Sequence, residues 1–336
     1  MNLPEAIENE DQLDDVLSQP SEPTCEIVSR LEGDVVVLGA GGKIGPTFCR
    51  LLRKAGPKKT IYAIDAKISD RLKQSAVKTI AADLLDRSSY ETLPKAPNVY
   101  YLAGMKFGAS ADQPLTWAVN TYLPALPCEY YRDSRIVAFS TGNVYPFVDV
   151  AGGGATEETL PDPKGEYAQS CLGRERIFQH FSKKNNTAVC LIRLNYANEP
   201  RYGVIVDVTR KILADEPIDV TMGFVNLIWQ GDANDYIARA ITLAESPARI
   251  LNVTNPETIS IRYLAEQVGS ILNRTPKFIG NEAPTALLSN AGECFEAFGY
   301  PRVPLLSMVR TIVRWVTAGK PMLDKPTKFQ VRDGKY

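Results

Sequence analysis

The sequence predicts an α/β chain, a doubly wound parallel sheet with a smaller C-terminal lobe. Three observations carry that prediction. Six short β-rich apolar runs, at 34–39, 60–65, 78–83, 98–104, 135–141 and 188–194, alternate with helical stretches. The runs are near-continuous Val, Ile and Leu, the pattern of strands covered on both faces. A glycine-rich turn joins the first run to the first helical stretch, "IGPTFCRLLRKAG" (44–56).

Each segment then follows in order. Residues 1–33 hold nine acidic side chains against one arginine, and read as an appended arm with one short helix near Asp11 to Leu17. Residues 34–194 carry the alternating strands and helices, including a predicted helix over "QPLTWAVNTYLPAL" (113–126). Residues 195–336 read mainly as a substrate lobe, with some strands and helices returning to the first core. There "RILNVTNPETISIRYLAEQVGSILNR" predicts a strand, a turn at Asn255-Pro256 and an amphipathic helix capped near Ser260.

Composition narrows the function classes. A net charge of -1 gives no electrostatic case for nucleic acid or an anionic membrane. No apolar run approaches the roughly 18 residues needed to span a bilayer. The acidic start "MNLPEAIENEDQLDD" does not read as a signal peptide. Six cysteines without framework spacing predict reduced thiols and a cytoplasmic protein. The single histidine, His180, sits mid-helix among aromatics, with no ligand cluster to suggest a metal.

In "VVVLGAGGKIGPTFC", Gly39, Gly42 and Gly45 stand in G-x-x-G-x-x-G spacing, with Gly41 as a further glycine. A tight turn of this kind allows close backbone approach to a pyrophosphate, whose charge is drawn to free N–H groups at a helix start. Lys43 and Ile44 lie in the turn. Asp65 ends the second strand 20 residues after Gly45, where an acid binds the adenosine ribose hydroxyls. That acid repels a 2′-phosphate and favours NAD over NADP, although Lys43 and Lys67 keep NADP open.

Together these motifs resemble the extended short-chain dehydrogenase/reductase superfamily, in its NAD-dependent epimerase/dehydratase-like branch with a Rossmann-type sheet. "AADLLD" is similar to that branch's third-strand motif, which implies cofactor contacts from Asp83 and Leu84. "YLAGMKFGASADQPLTWAVNTYLPA" is similar to its fourth-strand segment. The resemblance implies that Ala103, Gly104 and Lys106 line the cofactor, with Tyr167 beside it, and that Asn120 supports the active-site helix. "AFSTGNVYPF" resembles S-S-x-x-V-Y-G and puts Thr141 at the catalytic Ser/Thr position, with Tyr167 at the catalytic tyrosine. It also implies a substrate pocket in the second lobe, with Asn195, Arg201 and Trp229 as candidates beside Tyr196, Tyr202, Asn226 and Gln230. Arg201 is the expected grip on an acid group. By analogy with relatives, a homodimer is expected.

Two departures stand out. The family's Y-x-x-x-K is here Y-A-Q-S-C, with Cys171 at the lysine position. The segment "TMGFVNLIWQGDAN" lacks the arginine that many epimerases direct at a substrate diphosphate, although Asp232 resembles its closing acid. A free sugar, sugar acid or small polyol is therefore the expected substrate class. Without a cation, a tyrosine of pKa about 10 is ionised roughly once in a thousand at pH 7, a cost of about 4 kcal/mol. A neutral thiol supplies no positive charge, so Cys171 reads as a packing residue. Two cations are placed to substitute: Lys106, which follows the fourth strand and is favoured, and Arg174, seven residues after Tyr167 on the same helical stripe. The expected function is an NAD-dependent oxidoreductase or epimerase acting on a hydroxyl, with Tyr167 as base. The alternatives are an NAD-binding sensor or scaffold that has lost its chemistry, and an NAD-recycling epimerase or lyase.

Overall fold

A computed structural model of the chain describes residues 3–106 and 111–335. All six predicted runs form strands, and the "RILNV" segment adds a seventh: β1 (Val35–Leu38), β2 (Ile61–Asp65), β3 (Lys78–Ala81), β4 (Asn98–Tyr101), β5 (Arg135–Thr141), β6 (Val189–Leu194) and β7 (Arg249–Val253). They make one sheet in the order β7-β6-β5-β4-β1-β2-β3, with every neighbouring pair parallel. The order reverses between β1 and β4, and the crevice at their carboxyl ends is where such sheets bind ligands. All four residues of β1 are buried, as the unbroken valines required.

Helices cover both faces. Those used below are α1 (Glu10–Leu17), α2 (Glu22–Arg30), α3 (Gly45–Ala55), α4 (Gln113–Trp117), α5 (Gly165–Asn185), α6 (Val204–Leu213), α7 (Gln230–Arg239), α8 (Ile261–Leu272) and α9 (Leu305–Thr317). The α8 start matches expectation: the Ser260 side chain accepts a hydrogen bond from the Tyr263 N–H. Among the described residues, no helix is long and apolar enough to cross a membrane.

Two local predictions are corrected. The helix over 113–126 is not continuous. It passes into a π-helical turn at Ala118–Tyr122, closed by Leu123 N–H to Ala118 C=O at 2.9 Å. Pro124, next in line, has no N–H with which to extend the α ladder. The wider turn holds Asn120 fully buried, as such turns do at functional positions.

The acidic N-terminal segment holds two helices, α1 and α2, and it is packed against the rest of the chain. Leu13, Leu17 and Val28 are fully buried. The Asp14 carboxylate accepts from Arg71, just beyond β2, at 2.7 and 2.9 Å, and from Arg201 of the second lobe at 2.8 Å. Asp235 of α7 accepts from Ser21 and Thr24 of the segment. The sequence does not show this packing because the basic partners stand 57 and 187 residues away. The second lobe gathers α6, α8 and α9 around Val208, Leu264, Val268, Val309, Ile312 and Trp315. From α9 the chain runs on without regular structure, back across the sheet's carboxyl edge.

Candidate active site

A cavity of about 440 Å³ opens at that edge. The glycine turn and the ends of β4 and β5 line one side. Asn195 to Asn198 and Tyr202 to Val204 line the other, with Lys325 and Thr327 contributed by the C-terminal segment. Tyr196, at the turn out of β6, adopts a positive φ of 39°, a rare conformation for a tyrosine and one that clusters at functional sites.

The glycines are explained by what surrounds them. Gly39 has φ +78°, and a Cβ there would meet the Ala103 nitrogen at 2.4 Å. A Cβ on Gly45 would lie 2.1 Å from the Ala40 carbonyl oxygen, so only glycine lets α3 start this close to β1. A Cβ on Gly42 would meet nothing nearer than the Gly39 carbonyl oxygen at 3.7 Å, and α3 begins with no side-chain cap, so its first N–H groups are available beside the cavity. Asp65 braces the turn: its carboxylate accepts from Gly41 N–H at 2.9 Å and Lys67 N–H at 3.0 Å. Asp83 is exposed and accepts from Leu85 N–H at 2.9 Å, while Leu84 is buried. Lys43 reaches across the cavity to the Ala197 carbonyl oxygen at 3.0 Å and lies over the Tyr202 ring. Burial draws its pKa down to about 7, with Lys106 and Arg201 adding in the same direction against Glu199. An uncapped helix start, a turn stripped of side chains, a lysine and an acid at the β2 end together fit a dinucleotide's diphosphate and ribose.

Tyr167 enters the cavity from the first turn of α5, and Thr141 from the last residue of β5. The tyrosine hydroxyl shares hydrogen bonds with Thr141 and the Cys171 thiol. Burial, reinforced by that thiol, pushes the phenol well above its ordinary pKa, while Arg174 and the Thr141 hydrogen bond pull it back. Thr141 is itself oriented by Asn143, donating to its Oδ1 at 2.9 Å and accepting from its N–H at 3.2 Å. Its neighbour Ser140 donates to Glu175 at 2.5 Å, and Glu175 is clamped by Arg193 in a fully buried ion pair. The end of β5 is thereby tied to α5.

The two candidate cations take different places. Arg174 lies behind Tyr167, its guanidinium buried where β4, β5 and α5 meet. It donates to the Phe139 carbonyl oxygen at 2.9 Å and to both the backbone and side-chain oxygens of Asn120. It presses on Gly104, where a Cβ would come within 2.4 Å of Nη2. Asn120 also donates to the Met105 carbonyl oxygen and to Ser170, and accepts from Met105 N–H. It locks the β4 loop to α5. Lys106 sits instead toward the second lobe, its Nζ 6.0 Å from the centre of the Tyr167 ring. Burial lowers its pKa to about 8, with Lys328 adding to that and Cys171 and Asp207 opposing it. The charge of Arg174 favours the ionised phenol, while Lys106 lies over the Tyr167 ring.

Of the predicted substrate residues, Asn195 lines the cavity but Arg201 and Trp229 do not. Arg201 is almost fully buried and its guanidinium is shared among Glu199, Asp14 and Glu10. Trp229 packs in the second-lobe core. Asn226 joins Glu257 to Ser289, Gln230 donates to Thr47, and Asp232 caps Arg302 and Val303, all structural placements. Arg201→Met is expected to destabilise the fold by about 3–5 kcal/mol, because it strands the buried Glu199 carboxylate. Thermal unfolding checks this, and an unchanged melting temperature overturns it. Asn143, Asn198, Lys325 and Thr327 line the cavity without having been singled out in the sequence. Among the described residues, no group of His, Cys, Asp and Glu is placed to hold a metal ion.

A search of curated proteins finds no match to the chain. Among solved structures it is similar to a UDP-glucose 4-epimerase of Thermus thermophilus in complex with NAD, at 20% identity and a TM-score of 0.71, covering 84% of this chain and 99% of that one. It is similar to a UDP-glucuronic acid 4-epimerase of Bacillus cereus solved with UDP-glucuronic acid and NAD, at 16% identity and 0.71, covering 85% and 99%. It is also similar to a dTDP-glucose 4,6-dehydratase of Streptomyces venezuelae with NAD bound, at 17% identity and 0.72, covering 85% and 97%. At such identities these likenesses speak for the fold. The family match reaches further: residues 35–252, well over half of the sequence, fit the NAD dependent epimerase/dehydratase family, and the chain belongs to it.

Proposed function

We propose that this protein uses NAD to oxidise, or to oxidise and re-reduce, a hydroxyl-bearing carbon of a small sugar, sugar acid or related polyol. The observation that carries the reading is the Tyr167–Thr141 pair on the cavity wall, with a buried guanidinium behind it. NAD supplies the hydride acceptor when bound. Tyr167 takes the proton from the substrate hydroxyl, and Thr141, held by Asn143, steadies the oxygen as it becomes a carbonyl. Arg174 offsets part of the cost of ionising a buried phenol. Cys171 works against it, so the base operates best on the alkaline side.

Turnover of a panel of sugars, sugar acids and polyols, read by the near-ultraviolet absorbance of reduced cofactor and by NMR of the products, tests the reading. Accumulating reduced cofactor marks a dehydrogenase, and isomerised product without accumulation marks an epimerase. No change in any panel member by a protein that still binds NAD overturns the proposal in favour of a sensor.

Lys43 is assigned to the diphosphate. Near neutral pH its ammonium is only partly formed, and an adjacent diphosphate raises its pKa, so binding takes up a proton. NAD affinity therefore falls as pH rises through 7, by up to about tenfold per unit. Titrations between pH 6 and 9 are expected to show this slope in the native protein and a flat profile in Lys43→Met. An equal slope in both removes Lys43 from the diphosphate site.

A further inference from the structure

The sequence offers no second-lobe arginine for an anionic substrate, yet among the described residues the cavity is lined by four cationic side chains, Lys43, Lys106, Arg174 and Lys325, and by no carboxylate. Arg174 is held by Asn120 and Phe139 behind the tyrosine, and Lys43 stands at the glycine turn. Lys106 and Lys325 line the cavity as well, one from the segment after β4 and the other from a segment more than 200 residues later. Asp207 is an acid whose charge favours the Lys106 ammonium, and its Oδ2 already accepts from the N–H and hydroxyl of Thr327, at 2.9 and 2.5 Å. Lys328 adds a further positive charge felt by Lys106. Concentrated positive charge of this kind, facing a cavity, calls for an anionic ligand.

The C-terminal segment is seated to act as a wall of that cavity. Leu323 N–H donates to the Arg201 carbonyl oxygen at 3.1 Å, Thr327 is anchored on Asp207, and Phe329 is buried in the second-lobe core. Farther on, Arg332 donates to the Thr285 carbonyl oxygen at 2.7 Å and lies over the Phe147 ring. Gly334 packs directly on Gly165, the first residue of the helix that carries Tyr167. The segment spans the cavity from the second lobe to the catalytic helix, and Lys325 lines it between these anchors.

We infer that residues 321–335 form a fixed strap over the substrate side, and that Lys325 with Lys106 receives an oxyanion of the substrate. The group is a carboxylate or a phosphate borne on the hydroxylated skeleton that Tyr167 attacks. This rests on the proposed hydride chemistry, because it is NAD at the glycine turn that puts these two lysines on the substrate's side.

The test uses full-length protein saturated with NAD, so that the diphosphate site is filled, and calorimetric titration with glucose, glucuronate and glucose 1-phosphate. Both anions, or one of them, are expected to bind at least about tenfold more tightly than glucose, an energy in line with one charged hydrogen bond. Which anion is preferred identifies the carboxylate or the phosphate. Lys325→Met is expected to remove most of that preference while leaving NAD affinity unchanged, and Lys106→Met is expected to remove it as well. Lys325→Glu is expected to reverse it in a protein that still binds NAD, a result that loss of the fold cannot mimic. Equal affinity for all three ligands, or a preference that survives Lys325→Met, overturns the inference. Failure of NAD itself to bind overturns the proposed function instead, and is seen before any sugar is added.

Discussion

Tyr167→Phe is expected to lower kcat by about 10³-fold or more, near 4 kcal/mol of transition-state stabilisation, with little change in NAD affinity. The phenyl ring keeps the packing of a buried side chain, and the lost hydroxyl leaves only the neutral Thr141 and Cys171 partners, a cost of about 1 kcal/mol to the fold. The loss therefore falls on chemistry. Because the proton is transferred only during reaction, kcat and kcat/KM should fall together. Steady-state kinetics on the best substrate of the panel checks this. A variant that keeps activity within tenfold of the native protein would show that the proton leaves by another route.

Arg174→Met is expected to reduce activity at neutral pH by roughly ten- to a hundredfold and to move the alkaline rise of the pH profile upward by about one to two units. The sign follows from the charges. The guanidinium favours the phenolate, so its removal raises the base's pKa, and below that pKa the rate follows the ionised fraction. A role confined to bracing Asn120 would cost stability or NAD affinity without moving the profile. Arg174→Lys keeps the charge and should keep the profile, though it makes fewer of the hydrogen bonds to Phe139 and Asn120. Cys171→Lys alone should not help, since a second buried cation would stand against the first. Paired with Arg174→Ala, the same lysine has room and should restore the activity that Arg174→Met loses. If Lys106→Met shifts the profile and Arg174→Met does not, the loop lysine is the working cation and this reading fails.

The missing lysine is then a matter of where the charge comes from. Arg174 is two turns along α5, and its length lets it return underneath Cys171 to the level of the phenol. The seven-residue spacing makes that geometry readable in the sequence. What separates it from Lys106 is not readable, because it depends on the π-turn that buries Asn120 and on the bare Gly104 against which the guanidinium rests. Lys106 looks the better placed of the two in the linear chain, and it is only in the fold that it lies over the Tyr167 ring and feels Asp207.

By itself, the sequence determined the strands, the glycine turn, Asp65, and the Thr141 and Tyr167 positions. The strands, the turn and Asp65 follow from local rules: burial on both faces, backbone crowding at a turn, and a helix starting after a strand. Thr141 and Tyr167 follow instead from the resemblance of their motifs to a family. Tertiary structure alone decided what depends on long-range electrostatics. It turned an acidic N-terminal segment into a clamp on Arg71 and Arg201, withdrew Arg201 from the substrate, and brought Lys325 to a cavity whose other lysines lie far earlier in the chain. A charge's partners set its role, and a linear sequence does not name partners hundreds of residues apart.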